Sequence, residues 1–186
     1  IGPINMVNLI VRLPGKRTDR VLITGHYDTK LFKDFVFVGA SDGASSAAML
    51  IELARVLKTR PREFTYEFVW FDGEERGLAG SGAFMRTPVV PREAMAVNVN
   101  LDMVGRNAHD RLFAVGPLKR PELAPYVRAA ACRTPVTLML GHDKGWSAGE
   151  DWTNQSDHGA FDQVDIPFIY LGEEDHADYH RPTDDV

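Results

Sequence analysis

The chain has 186 residues, enough for one domain with a sizeable core. Its apolar fraction is 44% and its charged fraction 25%, which excludes a mostly disordered or collagen-like chain. With 21 Lys+Arg against 26 Asp+Glu, the formal net charge is −5 and there is no basic tract, so neither nucleic acid nor an anionic membrane is an expected partner. No apolar run approaches the roughly 20 residues of a membrane-spanning helix.

Residues 5–13 and 20–26 read as strands around a Pro14-Gly15 turn. A loop follows over 27–40, with a short strand expected at Phe35–Val38. The clearest helix covers 43–59. Ser41 or Asp42 can cap it, and Ala47, Leu50, Ile51, Ala54 and Leu57 form its apolar face. Residues 65–72 alternate and then turn wholly apolar, as a central strand does. A second helix is expected at Ala79–Met85, strands at 96–103, Arg111–Val115 and 136–140, and a helix from Pro121 to Cys132. Residues 141–155 read as loop, Asp157–Gln163 as a short helix and Pro167–Leu171 as a buried strand. Strands alternating with helices predict a single α/β domain over 1–186, an α/β/α sandwich of three layers with a mostly parallel, mixed central sheet.

Acidic and histidine residues gather where these strands end. They are His26 and Asp28, Glu74 and Glu75, Asp102, and a last loop holding Asp175, His176, Asp178 and His180. In an open α/β sheet the carboxyl ends of the strands line the crevice that binds ligands. Cys132 is the only cysteine, so no cysteine zinc site can form and a metal would need His, Asp and Glu ligands. In His26-Tyr27-Asp28 the two outer side chains share one side of the strand, so Asp28 can hold one ring nitrogen of His26 and leave the other for metal. In Glu74-Glu75 one carboxylate can bind metal while its neighbour serves as general base. Asp102 at the end of an apolar strand needs a partner or a metal. His109, His142 and, for the most part, His176 are expected to be solvent-exposed loop histidines rather than ligands. A rival motif is Gly39-Ala40-Ser41-Asp42-Gly43, a G-x-S-x-G followed by Asp102 and His180 in the order of a serine hydrolase, with Ser41 as nucleophile.

Six segments then carry a resemblance: His26-Tyr27-Asp28; Gly39 to Ser45; Asp72-Gly73-Glu74-Glu75-x-Gly77-Leu78-x-Gly80-Ser81; Asn100-Leu101-Asp102-Met103-Val104-Gly105; Ser156-Asp157-His158-Gly159-Ala160-Phe161; and Asp178-Tyr179-His180-x-Pro182-x-Asp184. In this order they resemble the co-catalytic zinc aminopeptidases, the M-twenty-eight metallopeptidase family, from about Asn5 to Val186. The resemblance implies two Zn2+ ions, one on His26 and Asp102 and the other on Glu75 and His180, with Asp42 bridging. It implies Glu74 as the general acid/base acting on metal-bound water, Asp28 orienting His26, Asp157 standing behind the ligands, and Tyr179 donating to the oxyanion. It implies hydrolysis of the N-terminal bond of peptides with a free N-terminus, apolar residues preferred, in a secreted or periplasmic protein, with a monomer expected. Full family domains carry further helices, so the chain is expected to be trimmed at both ends. Gln155 stands where some aminopeptidases have Arg.

The segment His26-Tyr27-Asp28-Thr29-Lys30 through Asp42, with Phe71 to Glu75, also resembles the animal-type glutaminyl cyclases on the same fold. That alternative implies one zinc, on Asp42, Glu75 and His180, and ring closure of N-terminal glutamine. Tyr179, where cyclases carry Trp, favours the peptidase. A non-catalytic binding module on the same fold is a third alternative.

Overall fold

The computed structural model describes residues 5–106, 109–143 and 149–185. Seven strands form one sheet: β1 (Leu9–Leu13), β2 (Arg20–His26), β3 (Thr65–Phe71), β4 (Met95–Leu101), β5 (Arg111–Val115), β6 (Thr137–Leu140) and β7 (Phe168–Gly172). Their order across the sheet is β1-β3-β2-β4-β7-β5-β6. The four central strands β3, β2, β4 and β7 are mutually parallel. β1 runs antiparallel to β3, and β5 antiparallel to β7. The sheet is therefore mixed and mostly parallel, as expected.

Among the described residues four α-helices accompany it: α1 (Ser46–Lys58), α2 (Ala79–Arg86), α3 (Ala124–Ala131) and α4 (His158–Asp162). Successive residues of a strand face opposite sides of a sheet, and β3 shows what that does here. Phe68 and Trp70 join Ile23 and Leu50 of α1 in one core. Val69 and Phe71 join Leu22, Phe84 and Met85 of α2, and Phe161 of α4, in the other. Helices thus cover both faces of β2 and β3, which gives the three layers and explains why β3 is apolar almost throughout.

Two local expectations are corrected. Phe35–Val38 is not a strand. Its apolar character serves packing: Phe37 is buried and lies edge-on to the ring of His180, centroids 6.0 Å apart, while Val36 is exposed. The helix starts at Ser46, later than expected, because Asp42 and Gly43 are non-helical. Asp42 is no helix cap; its side chain turns into the cleft at the sheet's end. Ser41 is no cap either, and Ser45 Oγ donates to its carbonyl at 2.6 Å. On α1, Ala47, Leu53, Ala54 and Leu57 pack around buried Leu50, and Ile51 is exposed. At 100° per residue Ile51 falls beyond the edge of that stripe. Of the loop expected at 141–155, residues 144–148 lie outside the described residues.

Candidate metal centre

The parallel strands deliver the side chains. His26 is the last residue of β2 and pairs in register with Phe71, the last of β3. Asp72 and Gly73 then lead to Glu74 and Glu75 in a single helical turn. Asp102 follows the last residue of β4, and its N–H donates to Leu171 of β7 at 3.1 Å. Asp42 lies in the turn before α1, and His180 in the loop that follows β7.

These groups converge. His26 Nε2 is 3.1 Å from Asp102 Oδ1 and 3.2 Å from Asp42 Oδ1. The other oxygen of the same carboxylate, Asp42 Oδ2, is 3.0 Å from His180 Nε2, which is 3.6 Å from Glu75 Oε1. Two groups of potential ligands result, His26–Asp42–Asp102 and Asp42–Glu75–His180, each with ligand atoms within 4.8 Å of one another. Asp42 belongs to both and turns a different oxygen to each.

The backbone around the site is built to hold this. Gly43 adopts φ +104, and a Cβ there would stand 2.9 Å from Cε1 of His26 and 2.9 Å from the Asp28 carbonyl. Only glycine fits. Met103, beside Asp102, and His180 itself have φ of 53 and 55, the left-handed region that is costly for such residues and gathers at functional sites.

Asp28 supports both halves. Its carbonyl meets His26 Nδ1 at 3.0 Å, which leaves Nε2 for the cleft. Its carboxylate accepts the N–H groups of Glu74 at 3.0 Å and Glu75 at 3.3 Å. Asp28 is held below the usual carboxylate range: burial opposes this, and His26 and those N–H groups outweigh it. Asp157 is fully buried and pushed up to about 7, mainly by burial, with His26 and Ser81 opposing. It lies within the field of His26 and Asp102. Glu74 is pushed up to about 9, by burial first and then by Asp102. Burial and Asp42 push Glu75 up to about 7.

The cleft is narrow, about 60 Å³, and Asp42, Glu74, Glu75, Asp102 and His180 line it together with Tyr179. Burial and the neighbouring carboxylates raise the Tyr179 phenol, which keeps it a donor. Asp178 is turned away to Arg106 at 2.6 Å, and His176 accepts from the Asp178 N–H. His142 is not solvent-exposed as expected: it is buried, stacked on Trp152 with centroids 3.6 Å apart, and its Nδ1 lies 2.8 Å from the Glu150 carbonyl. Ser41 does not form the rival triad: its Oγ is buried and donates to Glu173 at 3.2 Å, while His180 Nε2 faces Asp42.

Two carboxylates had no role assigned from sequence. Asp184, buried, accepts from the N–H groups of Ser41 at 2.9 Å and Asp42 at 3.1 Å, and so clamps the turn that carries Asp42. Its place in the last shared segment was the available signal. Glu173 is buried at the end of β7 and lines the cleft; nothing in its Glu-Glu context marked it.

The family model for Peptidase family M28 matches residues 8–186. The chain belongs to that family. Among curated relatives, it is 38% identical over 91 residues to aminopeptidase YwaD of Bacillus subtilis (strain 168), a match covering 48% of this chain and 19% of that protein. It is 34% identical over 113 residues to a probable zinc metalloprotease of Pyrenophora tritici-repentis, covering 58% and 26% respectively. Among solved structures, the zinc aminopeptidase BSAP from Bacillus subtilis superposes with a TM-score of 0.77 at 28% identity, covering 95% of this chain and 44% of that one. A glutaminyl cyclase from an Acidobacteriales bacterium gives a TM-score of 0.80 at 25% identity, covering 97% and 66%. The chain thus spans less than half the length of YwaD and of BSAP. The expected α/β fold agrees with these solved structures.

The donor set fits zinc. Two imidazoles and three carboxylates suit a borderline metal. Glu75 Oε1 is buried with no hydrogen-bond partner among the described residues and lies with Asp42 Oδ2 and His180 Nε2. A cation there would satisfy it.

Proposed function

We propose that this chain carries the catalytic site of a two-zinc aminopeptidase acting on peptides with a free amino terminus. The observation that carries the reading is Asp42, whose Oδ1 turns to the His26–Asp102 group and whose Oδ2 turns to the Glu75–His180 group. A bridging carboxylate is what two adjacent dications require, and the three anionic ligands offset most of their charge. His26, Asp42 and Asp102 would hold one ion, and Asp42, Glu75 and His180 the other.

When bound, such a pair polarises the scissile carbonyl and acidifies water. The residues of this chain supply the rest. Glu74 lines the cleft outside both ligand groups, next to Glu75 in the chain, and the Asp28 carboxylate fixes its backbone. It accepts the proton of the attacking water and delivers it to the leaving amine, a transfer worth roughly 10²–10⁴-fold. Tyr179, kept as a phenol, donates to the oxygen of the substrate carbonyl as charge develops there. Glu173 and Asp175 add anionic character to the cleft, which suits an ammonium terminus.

The single-zinc cyclase reading draws support from the fit to the Acidobacteriales enzyme. It leaves the His26–Asp42–Asp102 group without a use, which favours the peptidase. Secretion or a periplasmic location and a monomeric state, expected from the resemblance, belong to the same proposal, as does a catalytic domain that continues beyond both ends of this chain. No helix among the described residues is long and apolar enough to cross a membrane.

The test compares an aminoacyl chromophore with an N-terminal glutaminyl peptide, with and without chelator, alongside metal analysis. About two zincs and chelator-sensitive release of the chromophore are expected. One zinc with ring closure of glutamine would replace this reading by the cyclase, and activity that survives chelation but is lost in Ser41→Ala would replace it by a serine hydrolase.

A further inference from the structure

Lys30 lies in the loop between β2 and Asp42 and brings an ammonium to one side of the centre only. Its Nζ is 3.0 Å from Nδ1 and 3.5 Å from Nε2 of His180, and 3.7 Å from Oε2 of Glu75. His180 and Glu75 are two of the three side chains in the second ligand group. In the first group the close pairs of Asp102 and of Asp42 Oδ1 are both with His26. The two candidate metal positions therefore differ in one respect that matters for a dication: a unit positive charge already stands beside one of them.

The proton arrangement of His180 adds to this. An ammonium is three donors and no acceptor. Where Nδ1 faces Lys30 it must offer its lone pair, which leaves the ring proton on Nε2, 3.0 Å from Asp42 Oδ2. A metal between Asp42 and Glu75 needs the lone pair of Nε2. The ring proton then belongs on Nδ1, which becomes a donor facing a donor. Metal and Lys30 thus require opposite tautomers of the same ring. The lysine side chain is 37% exposed, so it can swing to solvent when it is displaced.

Resting on the two-metal reading, we propose that Lys30 competes with the metal for the Asp42–Glu75–His180 group, so that the two positions fill unequally, the His26 side tightly and the His180 side weakly. The lysine acts as a positioning residue for the empty half-site: it holds His180 in place and neutralises part of Glu75 until a second ion displaces it. Like charges at such distances repel strongly in a half-buried cleft, and groups that touch metal ligands typically change affinity 10–100-fold.

Zinc binding to the metal-stripped protein, followed by calorimetry with a competing chelator, tests this without any substrate. The wild type is expected to show a tight and a weak class. Lys30→Met should tighten the weak class by about tenfold or more and leave the tight one in place. Lys30→Arg, which keeps the charge, should retain the weak class. Lys33→Met, an exposed lysine of the same loop, should change nothing. His180→Ala should delete the weak class, and His26→Ala the tight one. Equal classes in the wild type, a weak class that Lys30→Met leaves unchanged or loosens, or loss of the tight class in His180→Ala would overturn the proposal while leaving two metals in place. Failure of the wild type to bind a second zinc at any concentration would instead remove the two-metal reading itself.

Discussion

Glu74 and Glu75 are neighbours in sequence with different tasks. Glu75 sends Oε1 toward His180 and Asp42, and Glu74 lines the cleft without belonging to either ligand group. Glu74→Gln should keep the zinc content and lose roughly 10²–10⁴-fold in turnover. Glu75→Gln should weaken zinc on the His180 side. Metal analysis and turnover on the same preparations check this, and equal metal loss in both variants would contradict the division of labour. Asp184 acts at one remove. Its two oxygens take the N–H groups of Ser41 and Asp42, and an amide in its place presents a donor to one of them. Asp184→Asn should loosen the bridging carboxylate and cost about tenfold in zinc affinity, as the loss of groups that orient ligands does. Unchanged zinc titrations would remove that role. His26, Glu74, Glu75 and Asp102 were legible in the sequence because each ends or follows a recognisable strand. Asp184 was not legible as a clamp: the turn it grips lies 142 residues earlier, and only the fold brings the two together.

At the scale of elements, the strands place the site and the helices fix the strands. Phe71 ends β3 two residues before the Gly73-Glu74 turn and packs against Phe84 of α2 and Phe161 of α4, centroids 5.7 and 6.3 Å away. Phe71→Ala should cost about 3–5 kcal/mol of stability, seen as a lower midpoint in denaturant. A loss within about 0.5 kcal/mol, the range of surface substitutions, would mean that this layer does not hold the end of β3. A buried polar chain also runs along the centre: Asn98 donates to Thr24 at 2.8 Å, Thr24 to Asn100 at 2.7 Å, and Asn100 to Ser156 at 3.0 Å. Ser156 in turn bonds Asp102. Periodicity located the four central strands because each is a local apolar pattern. It misplaced Phe35–Val38, where Phe37 alone is buried, against the ring of His180, and its neighbours are exposed, and it included Ile51 in a stripe whose width only packing decides.

For the whole molecule, the concentration of carboxylates makes stability depend on pH and on metal. Without metal, Glu74 is pushed up to about 9 and Glu75 and Asp157 to about 7, burial being the main cause for each. Between the ordinary carboxylate range and those values the folded chain holds more protons than the unfolded one, so stability falls as pH rises. Fully buried His158, pushed down to about 4, acts in the opposite direction, between about 4 and its ordinary 6.5. Above pH 6.5 buried His26, whose proton is held against the cost of burial by Asp102, Asp28 and Asp42, acts in the same direction as the carboxyls. The melting temperature of the metal-stripped protein should therefore drop between pH 6.5 and 8.5, and saturating zinc should flatten that slope. A rising or flat profile without metal would contradict the burial of these groups. The α/β class was legible from the alternation of elements. The strand order was not, because β5 joins β7 antiparallel through contacts that no local pattern encodes.

The central claim is that one carboxylate, that of Asp42, is shared between two cations. Anomalous diffraction at the zinc edge from crystals grown with saturating zinc reads this directly. Two peaks are expected, one beside His26 and Asp102 and one beside Glu75 and His180, with Asp42 between them, both weakened together in Asp42→Asn. A single peak, or two of which either survives that substitution undiminished, would contradict that claim.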